Sequence, residues 1–433
     1  MDCEILRILY LRANGEIPCN CAAGETLNLG WLGTGEGWDV DQHFANPRYE
    51  KMRSAFAKGE LPWGEVCERC VFLRKGEPYR GGPINKRLEK IQIEPSLACA
   101  LRCPGCSRIH QAKVRTGPMF LRLDAYARFL TQLRDRGYSV GFFYFCGQGE
   151  PLSHPEIERV LSLTREILPT VPRIVNTNGN YGFAATLGRE CPERLIVSVD
   201  GARQESYEQY RINGDIQQAL DFMRDAKRLR PQTIVEWKYI LFTYNDSDAE
   251  IAEAQRLAED LGIDALQFVL THSQERSVRY TAENLDELPL LSPLAYIEVT
   301  PYLYNKRKYL RPLAITDSRQ RPDFTGANKL WCVLDEVWIL GHQFGLKGWS
   351  HVLDRVPLKQ ITVLVDGQVL GTAACGTPRP DVLEALPQVG HYRSGFRFSS
   401  HLPALGDRTL VELQLELQDG QRHELVVPFA PAT

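Results

Sequence analysis

Between residues 88 and 272 the chain alternates short apolar runs with amphipathic stretches of ten to fifteen residues, and no other feature limits its possible folds as much. The apolar runs are "LEKIQIEPS" (88–96), "SVGFFYFCGQGEP" (139–151), "PRIVNTNGN" (172–180), "RLIVSVDGA" (194–202), "QTIVEWKYILFTYN" (232–245) and "IDALQFVLT" (263–271). Between them, "LDAYARFLTQLRDRG", "HPEIERVLSLTREIL", "FAATLGREC", "IQQALDFMRDAKRLR" and "DAEIAEAQRLAEDLG" carry apolar residues three and four apart, the spacing of a one-sided helix. Strands that alternate with helices predict βαβ units and a parallel sheet. About six strands fall short of a closed eight-fold barrel, so the expectation is a partial (β/α)6 TIM-like barrel, with chemistry at the C-terminal strand ends.

Those strand ends are distinctive. The first opens into "ACALRCPGCS", with Cys99, Cys103 and Cys106 spaced C-x3-C-x2-C. The others end in GQGEP, NTNG and SVDG. A structural zinc site closes its tetrahedron with four protein ligands, and no fourth Cys or His follows the third thiol closely; His110 is the nearest. Three thiols suit a metal centre that keeps one position open, a zinc knuckle being the plainer alternative.

The chain of 433 residues is long enough for two or three domains, with 43% hydrophobic and 24% charged residues, ordinary for a globular protein. A net charge of −3 gives no overall pull toward nucleic acid or acidic membranes. Neither is expected as a partner. The opening "MDCEILRILYLRANGE" lacks the pattern of a signal peptide, and no run approaches the length of a membrane helix. A cytoplasmic location is therefore expected, where clustered thiols point to metal or catalysis rather than disulfides. Cys3, Cys19, Cys21, Cys67 and Cys70 form a second group at the front, while Cys146, Cys191, Cys332 and Cys375 are isolated.

The ordered set of cysteine loop, GQGEP, NTNG and SVDG resembles the radical S-adenosylmethionine (SAM) superfamily over roughly residues 88–272. The resemblance implies a [4Fe–4S] cluster held by Cys99, Cys103 and Cys106, whose fourth iron binds the amino and carboxylate groups of SAM. An electron then releases methionine and a 5′-deoxyadenosyl radical, which takes a hydrogen atom from substrate. By the same resemblance Glu150 accepts from the methionyl ammonium, Gly147 and Gly149 allow close backbone approach, and Pro151 stiffens the turn. Asn178, Ser198 and Asp200 are implied as further cofactor-binding residues, and Arg211 or Lys238 as partners of the SAM carboxylate. Gly105 stands where many members of the family carry an aromatic against adenine. Cys146 ends the second strand; it resembles the hydrogen-donating cysteine of some radical epimerases, or it is a small buried apolar residue. His154 reads as a capping or surface residue.

At the front, "CEILRILYLRANGEIPCNC" reads as strand, Asn-Gly turn and strand, followed by the helical "PRYEKMRSAFAKGELP" and "CERC". This resembles SPASM and twitch auxiliary-cluster modules, placed here before the barrel instead of after it. It implies a second [4Fe–4S] cluster. An antiparallel hairpin would set Cys3 beside Cys19, with Cys67 and Cys70 completing the set and Cys21 replacing Cys3 if the terminus frays. A zinc ribbon accepts the same thiolates.

Beyond residue 285, "LDELPLLSPLAY" reads as linker, and later runs with DG turns at Asp366-Gly367 and Asp419-Gly420 predict a β-sandwich. Stretches such as "GWSHVLDRVPLKQITVLVDG" resemble modules appended to surface-polysaccharide and glycosyltransferase proteins, so carrier binding and simple packing both remain open. The expected domains are a small Cys-rich α+β module over 1–80, the barrel over 81–285, and linker plus sandwich over 286–433. The resemblance implies an oxidoreductase or epimerase acting on a sugar or related metabolite, with flavodoxin or ferredoxin as electron donor. A peptide-modifying maturase is the alternative, and a metal-stapled binding protein a third.

Overall fold

In the computed structural model, the described residues are 1–19, 27–32, 38–68, 70, 72–74, 78–83, 86–271, 273–281, 284, 287–292, 294–297, 311–315, 330–340, 343–352, 358–377, 379, 382, 394–401 and 409–431. Cys21, one of the candidate ligands, lies outside them. The chain is mixed α/β with eight strands in its main sheet. These are β1 (Ile8–Leu11), β2 (Lys90–Ile93), β3 (Phe143–Phe145), β4 (Arg173–Thr177), β5 (Arg194–Ser198), β6 (Ile234–Ile240), β7 (Ala265–Val269) and β8 (Ala295–Ile297). By compactness the chain divides into two units. The first takes Met1–Ser198 and Tyr207–Val235, and the second Val199–Ser206 and Glu236–Thr433.

Within the first unit β1 to β5 pair in parallel, in the order β1-β2-β3-β4-β5. Alternation sorts their side chains. Ile91, Ile93, Phe143, Phe145, Val175, Leu195 and Val197 point to one face, and each is wholly buried. The helices that follow are built to pack on such a face. Leu123–Asp135 buries Ala125, Tyr126, Phe129, Leu130 and Leu133, and Ile157–Ile167 buries Ile157, Val160, Leu161, Leu163 and Thr164. Each large apolar side chain buried in this way contributes about 1.5–3 kcal/mol. Gly137, at φ 71°, ends the first of these helices in the left-handed region that glycine tolerates. The opposite face is more polar: Tyr10, Gln92, Tyr144, Asn176 and Ser198 lie on it, by register and alternation.

The front of the chain departs from expectation. Ile8–Leu11 and Glu16–Pro18 do flank a turn, closed by Arg12 N–H to the Glu16 carbonyl and by Gly15 at φ 91°. They do not pair with each other. Ile8–Leu11 joins the main sheet beside Lys90–Ile93, while Glu16–Pro18 pairs with Asn28–Trp31. The reason lies in burial. All four residues of β1 are buried, so the strand needs cover on both faces, which a two-stranded ribbon cannot supply.

His43, on the short helix Val40–Phe44, sits among the rings of Trp38, Phe44 and Tyr49. Burial holds its imidazole down at about 4. The unfolded chain therefore takes up a proton near pH 6.5 that the folded chain refuses until about pH 4, so stability rises with pH across that window. Acidification from pH 7 to pH 4 should cost up to about 3 kcal/mol through this one residue. A His43→Phe variant should show a shallower pH dependence of its denaturant midpoint; an unaltered slope would remove His43 as the cause.

In the second unit β6, β7 and β8 are parallel. The segment read from sequence as linker thus contains the strand Ala295–Ile297. On these strands Glu236, 1% exposed, takes an ion pair from Arg397 at 2.6 Å, and the same guanidinium lies 3.8 Å over the Tyr296 ring. The rest of the second unit is antiparallel. Where a sandwich was expected, the described residues give one hydrogen-bonded order of nine strands, in which Arg311–Ile315 pairs on both sides. Phe344, Leu346, Ile361, Val363, Phe396, Val411 and Leu413 form its core. Both DG dipeptides sit at hairpin turns, and Asp366 and Gly367 both have positive φ, as a type I′ turn requires.

Candidate active site

The loop that follows β2 carries Cys99, Cys103 and Cys106, all half-buried. Two other segments of the first unit, and the loop's own continuation, supply donors to their sulfurs. Asn178 Nδ2, after β4, lies 3.7 Å from Cys99 Sγ, and Arg211 Nη1 lies 3.9 Å from Cys103 Sγ. The Arg108 backbone N–H points at Cys106 Sγ from 3.5 Å, opening the helix Arg108–Val114. Donors aimed at sulfur stabilise thiolate character and tune a metal centre held by it. Burial, with the Glu150 carboxylate and the Cys106 sulfur adding to it, pushes the Cys99 thiol up, so a bound cation is what favours its ionisation. Three thiols in one loop, each with an N–H donor, fit the iron–sulfur cluster implied by the sequence.

The GQGEP turn lies directly against this loop. A Cβ on Gly147 would stand 2.3 Å from Glu94 Cγ, and one on Gly149 would stand 2.3 Å from the Ser96 carbonyl oxygen. Neither position has room for a Cβ, and what approaches them is the segment Glu94–Leu97 leading from β2 into the cysteine loop. Glu94 was not singled out from sequence and is the centre of the arrangement. Fully buried, its carboxylate accepts from Arg115 Nη1 at 2.5 Å, Tyr10 OH at 3.0 Å, Gln148 N–H at 2.8 Å and Ala13 N–H at 3.3 Å. One side chain thus ties β1, the end of β2, the GQGEP turn and the Arg115 segment together. Ser107 Oγ also hydrogen-bonds Gln148 Oε1.

Glu150 occupies the expected turn and faces inward. It is 4% exposed; one oxygen accepts from Thr177 Oγ1 at 2.6 Å and Leu152 N–H at 3.0 Å, the other from Asn178 N–H at 2.9 Å. Burial raises its pKa, against the lowering effect of these bonds and of nearby Arg211. A carboxylate has about four lone-pair sites, so three are already taken, two of them joining the GQGEP and NTNG loops. Asn178 is thereby placed to reach Cys99. Beside Cys99 an open cleft of ≈ 660 Å³ is lined by Ser153, Glu156, Arg159 and Tyr181 among others, within the usual size of small-ligand sites. His154 is buried with Nε2 on the Leu121 carbonyl and Nδ1 accepting from Glu156 N–H, a structural post at the start of a helix.

Cys146 directly follows β3, its backbone held by the Ile93 carbonyl and the Gln92 side chain. It belongs to the polar face of the sheet, where Asn176 Nδ2 donates to Tyr144 OH at 2.9 Å and Ser198 Oγ donates to Asn176 Oδ1 at 3.0 Å. Burial, then the neighbouring Cys146 sulfur, lifts the Tyr144 phenol well above its ordinary range. Asp200 and Lys238 belong to the second unit. Asp200 is fully buried and accepts from Ile240 N–H at 2.8 Å, and the Lys238 carbonyl accepts from Val199 N–H at 3.0 Å. Asp200 is therefore engaged in joining strand ends.

Cys3, Cys19, Cys67 and Cys70 line one small cavity, walled by Met52, Phe56, Trp63 and Leu73. The ladder Asp2–Cys3 with Leu73–Arg74 sets Cys3 near Cys70, and Leu27 N–H lies 3.3 Å from Cys19 Sγ. The convergence expected from a hairpin is thus achieved through two separate ladders. Burial pushes Cys3 up to about 12 and Cys19 up to about 11, and the neighbouring thiols add to both. Such a set ionises together only around a cation. Among the described residues, no group of three or more His, Cys, Asp or Glu side chains is arranged to hold a single metal ion.

Residues 93–258 match the family model for the radical SAM superfamily. The chain accordingly carries a radical SAM domain, built on the thiol loop and GQGEP turn described above. A search of curated proteins found no match. Among solved structures the chain is similar to Streptococcus suis SuiB bound to S-adenosylmethionine, with 17% identity, 46% of this chain and 45% of that chain covered, and a TM-score of 0.37. It is similar also to a radical SAM methyltransferase from Sphaerobacter thermophilus, with 20% identity, 48% and 65% covered, and a TM-score of 0.39. A third is SuiB bound to precursor peptide SuiA, with 14% identity, 65% and 66% covered, and a TM-score of 0.37. The chain spans less than two thirds of each, and these distant likenesses carry no functional weight. Among the described residues, no helix is long and apolar enough to cross a membrane.

Proposed function

We propose that the protein is a radical SAM dehydrogenase or epimerase acting on a sugar or related metabolite, with electrons from an external one-electron carrier. The observation that carries this is the thiol loop itself: three cysteines, each with an N–H donor on its sulfur, beside a glycine turn that only glycine fits. Cys99, Cys103 and Cys106 would hold a [4Fe–4S] cluster there, which would supply the one-electron reduction that cleaves SAM. The residues of the chain bind and orient. Asn178 and Arg211 hold Cys99 and Cys103, and Glu150 locks the loop that carries Asn178. The uncharged hydrogen-bonding groups of Gln92, Tyr144, Asn176 and Ser198 suit a hydroxyl-rich substrate, and Cys146 among them is the group able to return a hydrogen atom.

Anaerobic turnover in deuterated solvent tests the reading. The expected result is 5′-deoxyadenosine formation; the epimerase outcome also places solvent deuterium on a sugar carbon and loses it in Cys146→Ala, whereas the dehydrogenase outcome gives an oxidised sugar without that deuterium. Undiminished deuterium in the variant would remove Cys146 from the reaction.

The four front thiols support a second [4Fe–4S] cluster on Cys3, Cys19, Cys67 and Cys70. Reconstituted protein should then hold about eight irons per chain. A count of about four irons together with one zinc would replace that cluster by a zinc site.

A further inference from the structure

The parallel strands of the second unit carry a row of polar side chains that the thiol loop does not involve. Alternation puts Glu236 and Lys238 of β6 on one face. Lys238 is in register with Gln267 of β7, and Gln267 with Tyr296 of β8. The bonds of Gln267 place it on that same face, since its Nε2 lies 3.5 Å from Glu236 Oε2 and donates to Tyr296 OH at 3.0 Å. Ammonium, amide and phenol therefore stand side by side across three strands.

The charges along this row are not all matched. Glu236, two residues before Lys238 and 1% exposed, is taken by Arg397 at 2.6 Å. Arg397 comes from the strand Gly395–His401, which lies against β8 through Ser399 Oγ and the Ala295 carbonyl at 3.4 Å. Its guanidinium also covers the Tyr296 ring at 3.8 Å, so both ends of the row are held in place. Lys238 is half-buried, yet among the described residues its ammonium has no hydrogen bond or ion pair. A cation partly withdrawn from water is costly until an anion joins it. Gln267 adds a second group. Both of its bonds use Nε2, which leaves the amide oxygen to accept from a hydroxyl.

With the ligand's identity resting on the sugar-directed reading above, we infer that Lys238 and Gln267 bind an acidic sugar. Its oxyanion lies on the ammonium and a neighbouring hydroxyl on the amide oxygen, a pairing that a neutral sugar cannot complete. The oxyanion is a carboxylate, as in a uronic acid, or a phosphate, as in a sugar phosphate; an ammonium takes either. Lys238 is then a contact of the sugar and not the partner of the SAM carboxylate that the resemblance implies.

Calorimetric titration of the full chain with glucuronate, glucose 6-phosphate, glucose and SAM tests the site. At least one of the two acidic sugars should bind, with glucose about ten-fold weaker or more, and the acid that binds names the oxyanion. Lys238→Gln should weaken that acid by about ten-fold or more. Lys238→Arg, which keeps the charge, should hold it within about three-fold, and SAM affinity should stay within about two-fold in both variants. Gln267→Met should weaken the acid by a smaller factor, about three-fold, through the lost hydroxyl contact. Binding of neither acid, equal binding of glucose, or unchanged acid binding in Lys238→Gln would overturn the site. A loss confined to SAM would also overturn it and assign Lys238 to the SAM carboxylate. Calorimetry needs no turnover. Absence of 5′-deoxyadenosine from cluster-loaded wild type with dithionite would therefore sink the radical SAM reading while leaving the anion site to be decided by binding.

Discussion

Replacing Cys99, Cys103 and Cys106 together by alanine is expected to abolish SAM cleavage and to lower the iron content of reconstituted protein from about eight to about four per chain. The three thiols lie in one loop, and each receives its own N–H donor, from Asn178, Arg211 or the Arg108 backbone. Each supplies one of only three protein bonds, so any single replacement should also fail to hold a stable cluster. The remaining irons would be those of the proposed second cluster, in the cavity lined by Cys3, Cys19, Cys67 and Cys70, whose ladders do not involve the loop. Iron analysis and 5′-deoxyadenosine chromatography read the two parts separately. A triple variant that still forms 5′-deoxyadenosine would refute the assignment of the loop.

Removing the Glu94 carboxylate should have the largest effect on stability. Its partner Arg115 has a side chain only 6% exposed, and Arg115 Nη2 is buried with no hydrogen-bond partner. Glu94→Ala would leave that cation in the interior and strip acceptors from Tyr10, Gln148 and Ala13. Breaking a buried pair from one side typically costs about 3–5 kcal/mol. The loss should appear as a lower denaturant midpoint and as new proteolytic cleavage within the thiol loop. Adding Arg115→Met should recover much of the stability, because an apolar replacement of both partners removes the stranded charge. A Glu94→Ala cost below about 1 kcal/mol, the range of an exposed pair, would show that the carboxylate is not what holds the turn.

The Glu150 carboxylate leads to a related expectation. Gln in its place would offer an amide where Thr177, Leu152 and Asn178 all donate. Any loss of SAM affinity in Glu150→Gln should therefore be accompanied by loosening of the NTNG loop, seen as faster amide exchange at Asn178. Weaker SAM binding with unchanged exchange would restore Glu150 as a direct contact of the methionyl ammonium.

Much of this was legible in the amino acids because it is local. The C-x3-C-x2-C spacing, the glycines of GQGEP and the helix periods depend on neighbours a few positions away. The family match over residues 93–258 agrees with those signals. The convergence of Cys3, Cys19, Cys67 and Cys70 was also expected, though by another route. The Asn-Gly turn marked a reversal but could not say which strands would pair across it. A strand of four buried residues joins a sheet whose two faces are both covered, and for Ile8–Leu11 that means pairing with Lys90–Ile93, some eighty residues away.

Tertiary structure alone decided the rest. Glu94 looks from sequence like any acid following a strand, and its role arises because Arg115, Tyr10 and Gln148 converge on it. Glu150 and Asp200 were expected to face a ligand, and both turn inward to backbone N–H groups. Where a carboxylate finds its donors is settled by packing between segments distant along the chain. Residue spacing therefore specified the thiols and the strands that carry them, while long-range burial determined which charges serve the fold.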